Sequence, residues 1–358
     1  MGRKEVTEIK DHSPILKFKK LETRKKILLT GASGTIGFEV LKQLYSKKDL
    51  YEITIFDVRS SKTEKKFSPY KDDINIVYGN IFDEKALEQI SAGQNAVIHL
   101  AAIIPPVADD KPELSYLVNT TGTERLLKSL EKNSPNAFFI YSSSISVYGD
   151  RLKNPYIKIG DALVPSEGDE YAKTKIAAEN MIKNSKLDWS IFRLAAIMGG
   201  HKISKLMFHQ PLKTSLEIAT PEDTARAFVN ALDKQEQLSK KIYNLSGGEN
   251  CRMVYEDFLA HSFGIFGLGK LDFAPKSFAE KNFHCGYYAD GDDLNTILDF
   301  RKDNLESYFE HEKKKVSPLQ KAAISFLKKP IKLFLQKKSE PLTAYKNQDK
   351  KMMLHYFN

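Results

Sequence analysis

Apolar residues along this chain fall in short unbroken runs, separated by stretches with helical spacing. Ile27-Leu28-Leu29 is one such run. It shows no polar alternation, as expected of a strand buried on both faces of a parallel sheet. A glycine-rich turn follows, and Ile36, Val40, Leu41 and Leu44 then repeat at helical spacing. The rhythm recurs. Residues 53–56, 74–78, 96–100, 137–141 and 189–194 read as strands, and 114–132 and 171–184 as helices between them. Strands alternating with helices predict an α/β fold, a Rossmann-type doubly wound parallel sheet. After Gly199 the alternation loosens. Residues 221–232 predict a helix opened by proline, and 241–245 a strand ended by Gly247-Gly248. The expected division is an N-terminal extension over 1–26, a nucleotide-binding domain over 27–198, a smaller substrate-binding region over 199–311 that returns to the sheet, and a tail over 312–358.

Composition narrows this picture. At 358 residues, with 41% hydrophobic and 28% charged positions, the chain can bury a large core and is no disordered segment. Two cysteines, Cys251 and Cys285, cannot build a disulfide framework, which points to a reducing cytoplasm. No apolar run approaches the roughly 20 residues of a membrane span, and the polar N-terminus has no signal-peptide core. The net charge of +9 is unevenly placed: +5 over 1–26, −5 over 27–311, +8 over 312–338 and +1 over the remainder. The excess is terminal and lies outside the α/β region, so nucleic acid is not an expected partner.

Three local patterns carry chemistry. Gly31-Ala-Ser33-Gly34-Thr35-Ile36-Gly37 joins a predicted strand to a predicted helix. Glycines there allow a tight turn and close approach of a pyrophosphate to the helix N-terminus. Asp57 follows Gly37 by 20 residues, at the end of the next strand. It could accept from both ribose hydroxyls of NAD and would repel a 2′-phosphate. Arg59 and Lys62 lie close by and leave NADP open. Next, Tyr171 and Lys175 share one helix face at i, i+4 spacing. A phenol near pKa about 10 is a poor base unless a neighbouring cation lowers that value. The third pattern, Tyr141-Ser-Ser-Ser144-Ile-Ser-Val-Tyr-Gly149, places hydroxyls at a strand's carboxyl end, where such sheets bind ligands.

Together with Gly79-Asn80-Ile81-Phe82-Asp83, His99-Leu-Ala101-Ala102, Asn119-Thr-Thr-Gly-Thr123, Phe192-Arg193-Leu194, Pro221-Glu-Asp-Thr-Ala225 and Tyr243-Asn-Leu-Ser-Gly247, these patterns run in a familiar order over residues 26–250. The chain resembles the extended short-chain dehydrogenase/reductase superfamily, in its NAD-dependent epimerase/dehydratase branch. The resemblance implies Tyr171 as general acid/base, Lys175 lowering its pKa and holding the nicotinamide ribose, and Ser144 on the substrate oxygen. It implies Asn80 and Ile81 flanking adenine, Ala101 and Ala102 lining the nicotinamide groove, and Asn119 beside the catalytic strand. The implied activity is hydride transfer at a secondary alcohol of a sugar or nucleotide sugar, by an epimerase or dehydrogenase. A homodimer through the helices at 114–132 and 171–184 is also implied. A non-catalytic NAD-binding sensor, and a membrane-surface reductase of lipid or sterol-like alcohols, are the alternatives.

The chain also departs from that pattern. Only 29 residues separate Arg193 from Asp223, so the stretch that usually holds a nucleoside diphosphate is largely missing. His201, Lys202 and Lys205 are the cations near it. Ile145-Ser146 after Ser144 disfavours dehydration. Residues 283–293 carry His284, Cys285, Asp290, Asp292 and Asp293 without a full metal-ligand set, and read as a turn and a helix capped by Asp292 or Asp293, with aromatics toward the substrate. In the tail, Leu319, Ala322, Ala323, Phe326 and Leu327 share a face, continued by Ile331, Phe334 and Leu335 after Pro330, which is expected to kink or break the helix. With its lysines, this segment reads either as a peripheral membrane contact over 312–338 or as a helix docked on the protein's own core.

Overall fold

The apolar runs become a seven-stranded, all-parallel sheet. Its strands are β1 (Lys25–Thr30), β2 (Tyr51–Asp57), β3 (Asn75–Tyr78), β4 (Ala96–His99), β5 (Phe138–Ser144), β6 (Asp188–Leu194) and β7 (Lys241–Leu245). They lie in the order β7-β6-β5-β4-β1-β2-β3, every neighbouring pair parallel. The order reverses between β1 and β4, which opens a crevice at their carboxyl ends. The computed structural model describes residues 24–199 and 205–357. Residues 1–23 of the predicted extension, and His201 and Lys202, lie outside the described residues.

The unalternating strands feed two cores. Ile27 and Leu29 join Val40, Leu41 and Leu44 of α1 (Thr35–Tyr45) on one face, while Leu28 turns to the other with Val97, Phe139 and Tyr141. The first face is closed by Phe228 and other residues of the helix Pro221–Ala231. The second is closed by α2 (Thr123–Asn133) and α3 (Glu170–Asn184) through Leu126, Leu130, Ala178 and Ile182. The single helix expected at 114–132 is interrupted. Pro112–Tyr116 passes into a π-helical turn, Leu117–Gly122, before α2 begins. Such turns gather near functional sites.

A third core lies beyond the carboxyl edge of the sheet. It joins Phe208, Leu216 and Ile218 to α4 (Tyr255–Phe266), with α5 (Leu305–Lys314) against it through Tyr308 and Phe309. The tail forms α6 (Pro318–Phe326) and α7 (Lys328–Gln336), which break at Leu327. Pro330 therefore sits in the first turn of α7, where its missing N–H costs little, and not at the break. Ile324, Ile331 and Leu335 face this third core, so the tail is docked. Its outer side chains include apolar ones: Leu319 is 81% exposed and Phe326 87%, and Leu333 and Phe334 are exposed as well. The helix at Gly291–Leu298 starts earlier than expected, with Asp290 at its N-cap and Asp292 and Asp293 inside the first turn.

Candidate active site

The turn after β1 is shaped by close backbone approach. Gly31 has φ +73°, and a Cβ there would lie 2.6 Å from the Ala101 nitrogen. A Cβ on Gly37 would lie 2.1 Å from the Gly31 carbonyl oxygen. Glycine at these positions lets the turn nest against the segment leaving β4. Gly34 caps α1 with no side-chain bond, and the first turn holds no acid. The positive end of α1 is thus left open, as an anion-binding terminus requires. Ser33, Thr35 and Ile36 complete the turn. Asp57 Oδ2 accepts from the Ser33 N–H at 2.7 Å, and its Oδ1 from the Val58 N–H at 2.8 Å. The carboxylate therefore borders the turn. Arg59 is paired with Glu64 at 3.2 Å and lies over the Tyr78 ring.

The second cluster stands across the crevice. β5 ends at Ser144, whose Oγ accepts from the Ser146 N–H at 3.2 Å and fixes the 3₁₀ turn that follows. Asp169 caps α3 by accepting from the Ala172 N–H at 2.8 Å, which sets Tyr171 in the first turn. Tyr171 is buried, and burial pushes its phenol above the usual value, while a hydrogen bond with Ser144 pulls the other way. The expected lowering by Lys175 is not found here. The Lys175 Nζ donates to the Ser142 carbonyl at 2.8 Å and to the Tyr141 hydroxyl at 3.2 Å, and lies 5.7 Å from the centre of the Tyr171 ring. Burial sets the direction, with Asp169 adding to it.

Lys175 is itself 2% exposed, and burial pulls its ammonium down to about 7, against an opposing pull from Glu179. The unfolded chain keeps this lysine protonated up to about pH 10. Between about pH 7 and that value the unfolded state binds more protons, so stability rises with pH; below it the full penalty remains. A Lys175→Met variant, free of cofactor, is expected to melt above the wild type at neutral and lower pH, with the gap closing on the alkaline side. Thermal unfolding across pH checks this, and a constant gap contradicts it.

Behind the cluster lies a buried polar chain that sequence reading missed. Glu179 accepts from Ser143 Oγ at 2.6 Å and, through both oxygens, from Arg193 at 2.9 and 2.7 Å. Arg193 also donates to the Tyr148 hydroxyl at 2.7 Å, which donates to Asn244 at 2.9 Å. The signal for Glu179 was available: it follows Lys175 by four residues, as Lys175 follows Tyr171.

Other expected residues fall in two groups. Asn119, in the π-helical turn, accepts from the Ile103 N–H at 2.7 Å and donates to the Ile103 carbonyl and to Thr174 of α3. It ties the segment holding Ala101 and Ala102 to the helix of Tyr171. Asn80 and Ile81 lie after β3, away from that cluster. Asn80 is exposed and accepts from the Phe82 N–H, and Ile81 is buried against Gly122. Lys205, a phosphate candidate, is engaged by Asp110 and Glu340 at 2.9 and 3.0 Å.

A glycine turn at the head of α1, an acid after β2 and a Ser–Tyr–Lys cluster beyond β5 on a doubly wound sheet define a dinucleotide-binding α/β protein. The model of the NAD dependent epimerase/dehydratase family matches residues 27–246, and the chain belongs to that family. It is 26% identical over 182 residues to D-erythronate dehydrogenase of Haemophilus influenzae, a match covering 48% of this chain and 55% of that protein. The chain thus spans about half the length of that curated relative. Among solved structures, it is similar to a UDP-glucuronic acid 4-epimerase from Bacillus cereus, with TM-score 0.67 and 21% identity over 81% of this chain and 98% of the other. A dTDP-glucose 4,6-dehydratase from Bacillus anthracis gives TM-score 0.67 and 18% identity over 81% and 96%. A short-chain dehydrogenase/reductase superfamily protein from Agrobacterium tumefaciens, solved with NAD, gives 0.62 and 18% over the same shares. These structural likenesses bear on the fold.

Proposed function

We propose that this chain is an NAD-dependent oxidoreductase or epimerase acting on a secondary alcohol or its ketone, with Tyr171 moving the hydroxyl proton. The observation that carries the reading is the meeting of Ser144, Tyr171 and Lys175 across the crevice from an uncapped helix N-terminus. The turn suits a dinucleotide: glycine at 31 and 37 lets its backbone pack this tightly, since a Cβ at either would strike neighbouring backbone. The turn at 31–37 would hold the pyrophosphate and Asp57 the adenosine ribose. Asn80 and Ile81 would border adenine, and Ala101, Ala102 and Lys175 the nicotinamide end. NAD, when bound, supplies the acceptor of the carbinol hydride, so that oxidation leaves a ketone, NADH and one proton.

Ser144 then holds the substrate oxygen and Tyr171 takes or gives its proton. Burial keeps Tyr171 a neutral phenol, which suits it to protonate a carbonyl oxygen in the reductive direction. The carboxylate of Asp57 favours NAD over NADP, and Arg59 is already paired with Glu64. Calorimetric titration with NAD tests the cradle. One site per chain is expected, with affinity lost in Gly37→Ala; unchanged affinity in that variant would remove the turn from the reading.

The proposal includes a homodimer through Pro112–Tyr116, α2 and α3, for which the exposed Leu114, Tyr116 and Leu117 supply an apolar surface. It keeps the reducing-cytoplasm expectation, since Cys251 and Cys285 are free and buried. Among the described residues no helix is long and apolar enough to cross a membrane.

A second reading, peripheral contact with an anionic bilayer, rests on the outer face of α6 and α7. Leu319, Phe326, Leu333 and Phe334 are exposed there, within residues 312–338, which carry a net charge of +8. Apolar insertion and lysine attraction act together on such a surface. The full chain is expected to sediment with phosphatidylglycerol vesicles, less so at high salt, and to stay free of phosphatidylcholine vesicles. Phe326→Glu with Leu333→Glu should abolish binding; undiminished binding would contradict this reading.

A further inference from the structure

We propose that this site takes a largely apolar alcohol or ketone, and not a nucleotide sugar. The inference rests on the oxidoreductase reading above and names its substrate class. A cavity of about 360 Å³ opens beside Ser144. This is near the low end of the range for small-molecule sites, about 300–1,000 Å³. Its walls come from the segment after β6, from α4 and α5, and from Phe283 to Cys285. Met207, Tyr255, Phe258, Phe263, Phe266 and Phe283 give it its character.

The described lining bears on the substrate class. Among the described residues no lysine or arginine lines this cavity; its ionisable side chains are Tyr255, His284, Cys285, Tyr308 and Glu312. His284 faces Asp169 at 2.9 Å, and burial holds the Cys285 thiol up at about 12, so both are unsuited to meet a phosphate. A diphosphate here would leave water for aromatic walls and a carboxylate, and an ionised group buried without a partner is costly. A polyol would find Ser144, Gln210 and Ser262 in the lining, but its other hydroxyls would face the rings of α4. An alicyclic or aromatic body fits these walls, with its one oxygen at Ser144.

The placement of the tail agrees. α4 forms one wall and ends at Phe266; the next residue, Gly267, accepts from Ser325 of α6 at 3.1 Å. The pocket wall is thereby joined to the helix pair whose outer side chains include apolar ones.

The test uses the full chain loaded with NAD. Binding of 4-tert-butylcyclohexanone, UDP-glucuronic acid and D-erythronate is measured by calorimetry and ligand-observed NMR. NADH formation is followed with 4-tert-butylcyclohexanol and with each polar compound. The ketone is expected to bind and the polar compounds to fail to displace it. Ser262→Trp, which places a large ring in the cavity, should weaken ketone binding about tenfold while leaving NAD affinity intact. Phe266→Lys, at the partly exposed end, should do the same if the first variant misfolds. Tighter binding of UDP-glucuronic acid or D-erythronate than of the ketone overturns the inference, as does ketone binding untouched in both variants. The two readings fail separately. Ketone binding without hydride transfer from any compound to NAD leaves the apolar pocket standing and removes the oxidoreductase. Tyr171-dependent turnover of a nucleotide sugar keeps the oxidoreductase and removes the apolar pocket.

Discussion

A Tyr171→Phe variant is expected to lose about 10³-fold in kcat, the mid-range of what a positioned acid or base contributes. NAD affinity should hardly change. The ring remains to fill its buried place at the head of α3, and only the hydroxyl that meets Ser144 is gone. Steady-state rates with a competent alcohol and calorimetry with NAD check the two halves. A loss of rate accompanied by an equal loss of NAD affinity would make Tyr171 a packing residue. Full activity would remove it from the chemistry.

The second large effect is on stability. In Arg193→Met, Glu179 keeps Ser143 but loses both guanidinium bonds, in a place with no exposure. Breaking a buried pair on one side costs about 3–5 kcal/mol, because the remaining charge is uncompensated. Replacing both partners by apolar residues of similar volume is often near neutral. Glu179→Leu with Arg193→Met should therefore recover much of the loss, and the double variant should be more stable than Arg193→Met alone. Denaturant unfolding of the variants checks this. A single variant within about 1 kcal/mol of wild type, or a double variant less stable than it, would show that the pair is not the buried anchor it resembles.

Why some of this was legible in the sequence and some was not has physical causes. Strands buried on both faces leave unbroken apolar runs, so Ile27-Leu28-Leu29 and its counterparts announced the sheet. Gly31 and Gly37 were legible because close backbone approach tolerates no other side chain there. The interruption at Leu117–Gly122 was hidden, since a π-helical turn changes hydrogen bonding without changing residue type. The direction of the Tyr171 shift was misread for a related reason. Spacing shows that a cation is near, while burial, which sets the direction, depends on chain segments remote in sequence. The apolar pocket was equally silent: Phe258 and Phe263 of α4 belong at once to the third core and to the cavity wall. Helical spacing cannot separate those roles. The tail met one of its two expected outcomes, its inner face docked through Ile331 and Leu335, while its outer face is bare.

The central claim is that one crevice brings a dinucleotide and Tyr171 together. A crystal structure of the chain with NAD tests it most directly. The account predicts the pyrophosphate on the turn from Gly31 to Gly37, the adenosine ribose at Asp57, and the nicotinamide ring between Lys175 and the cavity beside Ser144. A nicotinamide ring remote from Tyr171, or a dinucleotide bound away from that turn, would contradict it.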